Sequence, residues 1–227
     1  MNSIKLIKKL SNSCCKVSFV ITLKNFDIDE PQQISMLKKH LHADKIVSCP
    51  KQIHSAKFFV YPNQQINQGD GIITRDFQIA VGVRVADCPA VSLYDGEKNI
   101  LGIFHCGWKG LKNKILSGAV KGFKSMGSKV NNIQAVIYPH ICQDCYEVGE
   151  ELTNYFNQGS IKYINKKYYL SLQGEIKSQL SGLGIEKINC TDYCTRHQPD
   201  LFHSYRRYRQ QGLDFSKRMY ALAVQER

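Results

Sequence analysis

Three short segments carry side chains able to bind a metal or act as nucleophile and base. Two of them, Ala86-Asp87-Cys88-Pro89 and Phe104-His105-Cys106, flank a pair of apolar runs with Asp95-Gly96 between them. Asp-Gly between apolar runs is a hairpin signal. Centring the turn on 95–99, with Tyr94 facing Ile100, sets Pro89 opposite His105 and Cys88 opposite Cys106. Cys88 and His105 are then diagonal neighbours, ~7–8 Å apart at Cα and within reach of a shared ion. A one-residue slip would spoil that pairing, and a buried cysteine lying beside a satisfied histidine would read the same. The third segment, Lys51-Gln52-Ile53-His54-Ser55, offers His54 in a polar stretch leading toward a strand. Two histidines and one thiolate suit zinc, whose catalytic sites take three protein ligands and keep one position open. The metal would bring the pKa of a bound water down toward neutrality. Asp87 would orient a ligand histidine, take a proton, or cap a turn. Without metal, Cys88 and His105 would instead be the nucleophile and base of a hydrolase acting on an amide.

Two other clusters compete for attention. Cys142-Gln143-Asp144-Cys145 is a CxxC, and Cys190 and Cys194 form a CxxxC; His140 and His197 could join a metal site with them. Four thiolates could close a structural zinc site, but 44 residues separate the pairs, outside ribbon spacing, and packing cysteines are the default expectation. A redox CxxC needs a helix N-terminus to depress a thiol pKa, and Glu147 and Glu150 argue against it. Ser204-Tyr205-Arg206-Arg207-Tyr208-Arg209 alternates arginines with aromatics. Such a stretch either grips phosphate and stacks on a base or forms an exposed strand with a solvated charged face.

Taken together and in order, these motifs resemble the YfiH, or laccase-domain, family of polyphenol oxidase-like proteins. The resemblance rests on Gln52-Ile53-His54, Asp70-Gly71, Ala86-Asp87-Cys88-Pro89-Ala90-Val91 and Phe104-His105-Cys106-Gly107-Trp108-Lys109-Gly110-Leu111. It continues through Cys145-Tyr146-Glu147-Val148-Gly149-Glu150-Glu151 and Ser204-Tyr205-Arg206-Arg207 with Lys217-Arg218-Met219. It spans about position 50 to the end, leaving 1–49 divergent. It implies a layered α+β fold with mixed sheets flanked by helices, and a metal site of His54, Cys88 and His105, with zinc the expected ion and copper the lesser one. The activities it implies are phosphorolysis of adenosine, inosine and methylthioadenosine, and deamination of adenosine. Copper-dependent phenol oxidation and editing of peptidoglycan precursors are further activities attached to the family. A purine nucleoside and phosphate would be the partners. Asp87, Cys88 and His105 would be catalytic, and Lys109, Arg206 and Arg207 would cradle the phosphate.

The chain departs from the family pattern in two places. No counterpart of its N-terminal Ser-Thr-Arg and Gly-Gly-Val-Ser segment stands near Val20–Asp29, and a Gly before Pro139 has become Tyr138, followed by His140. Both bear on substrate identity, and His140 is a candidate for the pocket wall.

The elements that must position these residues follow from periodicity. Strands are expected at Val17–Leu23, Ala56–Tyr61, from Ile79 to Val85, at Val91–Tyr94, Ile100–Phe104 and Ile133–Ile137, and at Ile185–Cys190 and Lys217–Gln225. Helices are expected from Asp29-Glu30-Pro31 through Leu41, along Leu111–Phe123, at Val148–Phe156 and at Leu172–Leu183. Strands mixed with helices in no strict alternation make one α+β domain over 1–227. With 43% hydrophobic and 22% charged residues among 227, the chain can build a sizeable core, which excludes disorder as its main state. No apolar run approaches a membrane span. The basic residues of the first twenty positions lack a cleavage pattern, so a cytoplasmic protein is expected. Thirty-one basic residues against 19 acidic give a net charge of +12, spread without long runs. That excess attracts anions in general, nucleic acid, phosphate-bearing metabolites and anionic lipid among them, or is only a solvated basic surface; a basic nucleic-acid binder with a structural metal site fits too. Nine cysteines, an odd number, point to reduced thiols.

Overall fold

Period-two and period-four apolar patterns sort the chain into strands and helices, seen in a computed structural model that describes residues 3–11, 15–27, 30–63, 67–214 and 216–227. Asp29, at the expected helix start, and Cys14 lie outside the described residues. The first elements are β1 (Ile4–Ser11), β2 (Lys16–Thr22), α1 (Pro31–His40), β3 (Lys45–Ser48), β4 (Phe59–Tyr61), β5 (Gly71–Thr74) and β6 (Ile79–Val85). A central hairpin and two helices come next: β7 (Ala90–Asp95), β8 (Ile100–His105), α2 (Trp108–Lys112) and α3 (Ile115–Ser125). The remainder holds β9 (Ile133–Ile137), β10 (Glu147–Val148), β11 (Ile161–Ile164), β12 (Lys167–Leu170), α4 (Leu172–Gly182), β13 (Lys187–Cys190), α5 (Tyr205–Gln211) and β14 (Met219–Glu226).

Two large mixed sheets and one small antiparallel sheet result. Their strand orders are β1-β2-β14-β6-β3, β13-β9-β7-β8-β5-β4 and β10-β12-β11. The apolar clusters define four layers. On the outer face of the five-stranded sheet, Val20, Ala80, Leu222 and Val224 pack on Leu37 and Leu41 of the α1 region. Its inner face presents Phe19, Val81, Val83 and Ala223 to Ile72, Leu101, Ile103 and Val136 of the six-stranded sheet. The other face of that sheet, through Val91, Leu93 and Phe104, meets Leu116, Ala119 and Phe123 of α3 and Ile176 and Leu180 of α4. Both sheets are therefore covered on both sides, which is why β7 and β8 are buried at every position rather than alternating. The expected layered α+β arrangement of mixed sheets and flanking helices is what the chain adopts.

Several local expectations need correction. The β7–β8 ladder pairs Asp95 with Ile100 and Ala90 with His105, one residue out of the expected register. Asp95 closes the four-residue loop by accepting N–H bonds from Glu97 and Lys98 at Oδ1 (2.9 and 3.1 Å), so the turn sits later than its Asp-Gly suggested. The helix expected over Leu111–Phe123 is broken at Lys114, whose φ of 60° is left-handed, giving α2 and α3. Val148–Phe156 is a short strand followed by a 3-10 turn over Glu150–Tyr155. The arginine–tyrosine stretch is helix α5, not an exposed strand. Ser204 starts it, its Oγ accepting the Arg207 N–H at 3.2 Å.

Tyr138, where the family has a glycine, has a core role. It is fully buried between the sheets, donates its phenol to the Leu222 carbonyl at 2.8 Å and lies 3.1 Å from Ser92 Oγ. Tyr138→Phe keeps the ring and removes the bond that ties β9's exit to β14. It is expected to cost about 1 kcal/mol of stability, read as a lowered urea midpoint with unchanged m-value.

Candidate metal centre

Asp70, immediately before β5, is completely buried and organises two separate segments. Its Oδ2 accepts the backbone N–H groups of Ile53 (3.2 Å) and Ser55 (2.7 Å) and the Ser55 hydroxyl (2.8 Å), and its Oδ1 accepts the His54 N–H (3.0 Å). The 53–55 loop thus wraps the carboxylate, with His54 at a left-handed φ of 57°. Gln52 pins the same loop to β6: its amide donates to the Arg84 carbonyl and accepts the Arg84 N–H (2.9 and 2.6 Å). Oδ1 of Asp70 also lies 3.0 Å from His105 Nδ1, which leaves Nε2 of that ring as the metal-facing nitrogen. The carboxylate is held at a pKa of about 2; burial opposes this, but the bonds from His105 and Ser55 outweigh it.

Cys88 arrives by a route the hairpin argument did not foresee. It precedes β7 rather than belonging to the ladder, and the chain reaches it through Asp87 at φ 81°. Asp87 does not orient a histidine. Its Oδ1 accepts the Thr195 hydroxyl and its Oδ2 the Arg206 N–H, both at 2.6 Å, so it ties the cysteine turn to the start of α5. The orienting role falls to Asp70, whose only sequence signal was a lone Asp-Gly before a strand.

The outcome is a convergent set: ligand atoms of His54, Cys88 and His105 all lie within 4.8 Å of one another. The two imidazoles meet edge to face with centroids 4.8 Å apart. Burial disfavours a charged Cys88, yet hydrogen bonds and charge from His105 and then His54 draw its thiol down to about 6. Burial likewise opposes a charged His105, and Asp70 with Cys88 raises it to about 9. Gly107 is necessary here for space: a Cβ would stand 3.0 Å from Cys88 Sγ and 3.4 Å from the His54 ring.

The centre forms part of the wall of a cleft of about 720 Å³, along with Arg84, Lys109, Tyr146, Arg206 and Arg218. Arg206 is fixed by two donations to the Glu147 carbonyl (3.0 and 2.9 Å) and lies over the Tyr146 ring. Arg207 does not line the cleft. Its guanidinium is spent on the carbonyls of Thr195, Arg196 and Phe202. Lys109 and Arg206 line the cleft, as do Arg84, Arg218 and Tyr146, which were not singled out as wall residues. Burial, with the Cys88 charge adding to it, pushes the Tyr146 phenol up, so it stays a donor. His140 is buried away from this cleft, its Nδ1 2.7 Å from the Tyr138 carbonyl.

A second group of ligand-type side chains, Cys142, Cys145, Cys194 and His197, also falls within 4.8 Å and could hold a metal. Cys190 is not a member; it packs against the main core.

Fold and centre together define a YfiH-type α+β protein. The structure resembles Bacillus licheniformis YfiH (TM-score 0.80, 23% identity, 92% of each chain) and YlmD from Geobacillus stearothermophilus (0.81, 19%, 93% and 92%). The chain belongs to the family described as multi-copper polyphenol oxidoreductase laccase, whose model matches residues 27–224. Its sequence is 32% identical over 185 residues to a protein named purine nucleoside phosphorylase in Aquifex aeolicus (81% of this chain, 86% of that one). It is 30% identical over 179 residues to one named adenosine deaminase RL5 from an unknown prokaryotic organism (70% and 68%). Among the described residues no helix is long and apolar enough to cross a membrane.

Asp70→Asn keeps the size but replaces an oxygen with an amide that cannot accept the same N–H groups. Affinity for zinc, measured by competition with a chromophoric chelator, is expected to fall roughly 10–100-fold. Gly107→Ala should also weaken zinc binding, in the same assay, because the added methyl must displace Cys88 or the neighbouring rings.

Proposed function

We propose that this chain is a zinc-dependent purine nucleoside enzyme that cleaves the glycosidic bond with phosphate. The observation carrying this reading is the placement of a His₂Cys donor set beside the cations of one cleft. His54, Cys88 and His105 would hold the zinc; when bound, it supplies a Lewis acid that activates a substrate oxygen or water near neutral pH. The donor set fits that ion: three ligands, one a thiolate, with the Asp70 carboxylate fixing one imidazole from behind. Multicopper chemistry fits less well. It calls for several clustered histidines, whereas His140 bonds the Tyr138 carbonyl and His203 lies 2.6 Å from the Tyr208 hydroxyl.

The protein's own residues do the binding. Lys109, Arg84, Arg206 and Arg218 give the cleft its positive wall, suited to a phosphate dianion. Arg207 acts from behind, bracing the turn that carries Thr195 and so the Asp87 contact. Tyr146 and Tyr205 offer ring faces for the base. In the reaction a phosphate oxygen bonds to the ribose C1′ while the bond from C1′ to the purine nitrogen breaks. The base leaves with its electron pair and takes up a proton. Tyr146, kept protonated by burial, can donate a hydrogen bond to the departing base.

The Asp70–His105–Cys88 chain favours one other reading: a metal-independent Cys–His hydrolase, with Cys88 thiolate as nucleophile. Incubating purified protein with adenosine, with and without phosphate, separates the two. Free adenine formed only with phosphate, lost on chelation and restored by zinc, is the expected result. Inosine in either condition would show deamination, and unchanged adenosine in both would defeat the nucleoside reading. Lys109→Ala should raise KM for phosphate about tenfold, the equivalent of ~1.4 kcal/mol, with a smaller change in KM for the nucleoside.

A further inference from the structure

The cysteine-rich corner beside the cleft has a pattern of its own. Cys142-Gln143-Asp144-Cys145 is followed, far along the chain, by Cys194-Thr195-Arg196-His197. Both are ligand-x-x-ligand turns, the spacing that lets one tight turn present two donors to one ion. The first is a 3-10 turn in which the Cys145 N–H returns to the Cys142 carbonyl (3.2 Å). In the second, the Gln198 N–H returns to the Cys194 carbonyl (3.2 Å). Backbone pairing brings the turns together: His140 bridges Cys194 in parallel, and the Thr195 N–H donates to the His140 carbonyl at 3.0 Å.

The side chains converge as well. Cys145 Sγ is 3.0 Å from His197 Nε2, Cys142 Sγ is 3.9 Å from His197 Nδ1, and the Cys142 N–H points at Cys194 Sγ at 3.3 Å. A tetrahedral zinc with Zn–S near 2.3 Å and Zn–N near 2.0–2.1 Å holds its donor atoms roughly 3.5–3.8 Å apart. The four donors here lie within 4.8 Å of one another, so small side-chain rotations close the site. The three cysteines are free rather than disulfide-bonded. Cys145 and Cys194 are buried while His197 is exposed, which gives an ion a way in.

We propose that Cys142, Cys145, Cys194 and His197 form a second, structural zinc site, distinct from the His54–Cys88–His105 centre. Four protein donors fill the coordination sphere and leave no position for substrate. The site's position gives it a purpose. Thr195, inside the second turn, holds Asp87 next to Cys88; Tyr146, directly after Cys145, lines the cleft. The ion fastens both turns behind the catalytic wall.

Zinc content of the Cys88→Ala protein, purified from zinc-supplemented cells, tests this without any activity assay. About one zinc per chain is expected, with an X-ray absorption edge fitted by three sulfurs and one nitrogen, and none after Cys194→Ser is added. A zinc-free Cys88→Ala protein, or zinc that survives Cys194→Ser, would overturn the proposal. Should Cys194→Ser fail to fold, alkylation of folded Cys88→Ala with iodoacetamide decides. Cys142, Cys145 and Cys194 are expected to be protected until a chelator is added. Equal labelling with and without chelator, or a disulfide among them, overturns it. Failure of the nucleoside reading leaves each of these outcomes unchanged.

Discussion

A buried carboxylate is costly to keep charged, and a protein tolerates one only where hydrogen bonds and a neighbouring positive group take over the role of water. Asp70 meets that condition with the backbone of one loop and the imidazole of a strand terminus. The need to satisfy this carboxylate is what forces residues 53–55 to curl and His54 into a left-handed conformation. The same need aims His105. Two of the three donors of the centre are thus set by one buried group that never touches a metal itself. The third, Cys88, depends on another carboxylate, Asp87, braced from α5 and from the turn at Thr195.

These two carboxylates divide the labour of a site that rests on two supports. Asp70 belongs to the six-stranded sheet and works from beneath. Asp87 works sideways, linking the cysteine turn to Thr195 and to the helix that supplies Arg206. A fold with sheets covered on both faces offers a rigid floor for such a centre, while the cleft walls come from loops and the short helix α5.

Much of this was readable from residue order. The strands with alternating or continuous apolar runs, β6, β7, β8, β9 and β14, stood out; spacing left His54, Cys88 and His105 open, and the resemblance of their segments to the family is what nominated them together. What escaped has physical reasons. Asp70 could not be assigned because its partners are mainly backbone N–H groups, which every sequence has. The hairpin register slipped because Asp95, read as part of the turn, is a paired residue that caps it. The β11–β12 hairpin was missed because its turn uses Asn165 and Lys166, at φ 50° and 61°, where glycine would have announced the left-handed conformation. Arg207 was read as an anion ligand by its type, although carbonyl oxygens compete for a guanidinium as well as phosphate does. Cys190 was paired with Cys194 by sequence proximity, with His197 only a possible addition, because closeness in sequence does not show that Cys190 packs into the core instead.

The five-stranded sheet has its own implication for how the molecule comes to exist. β14 lies between β2 and β6, pairing Leu222 with Val20 on one side and with Gly82 on the other. Neither neighbour can complete its ladder until a segment roughly 200 positions from β2 and roughly 140 from β6 has arrived, contacts of high order and therefore slow to form. Arg218, on the cleft wall, directly precedes that strand. Pairing of β14 in the sheet therefore also places Arg218 on the cleft wall. Without β14, β2 and β6 would each present an unpaired strand edge, the kind of edge that invites association with other chains.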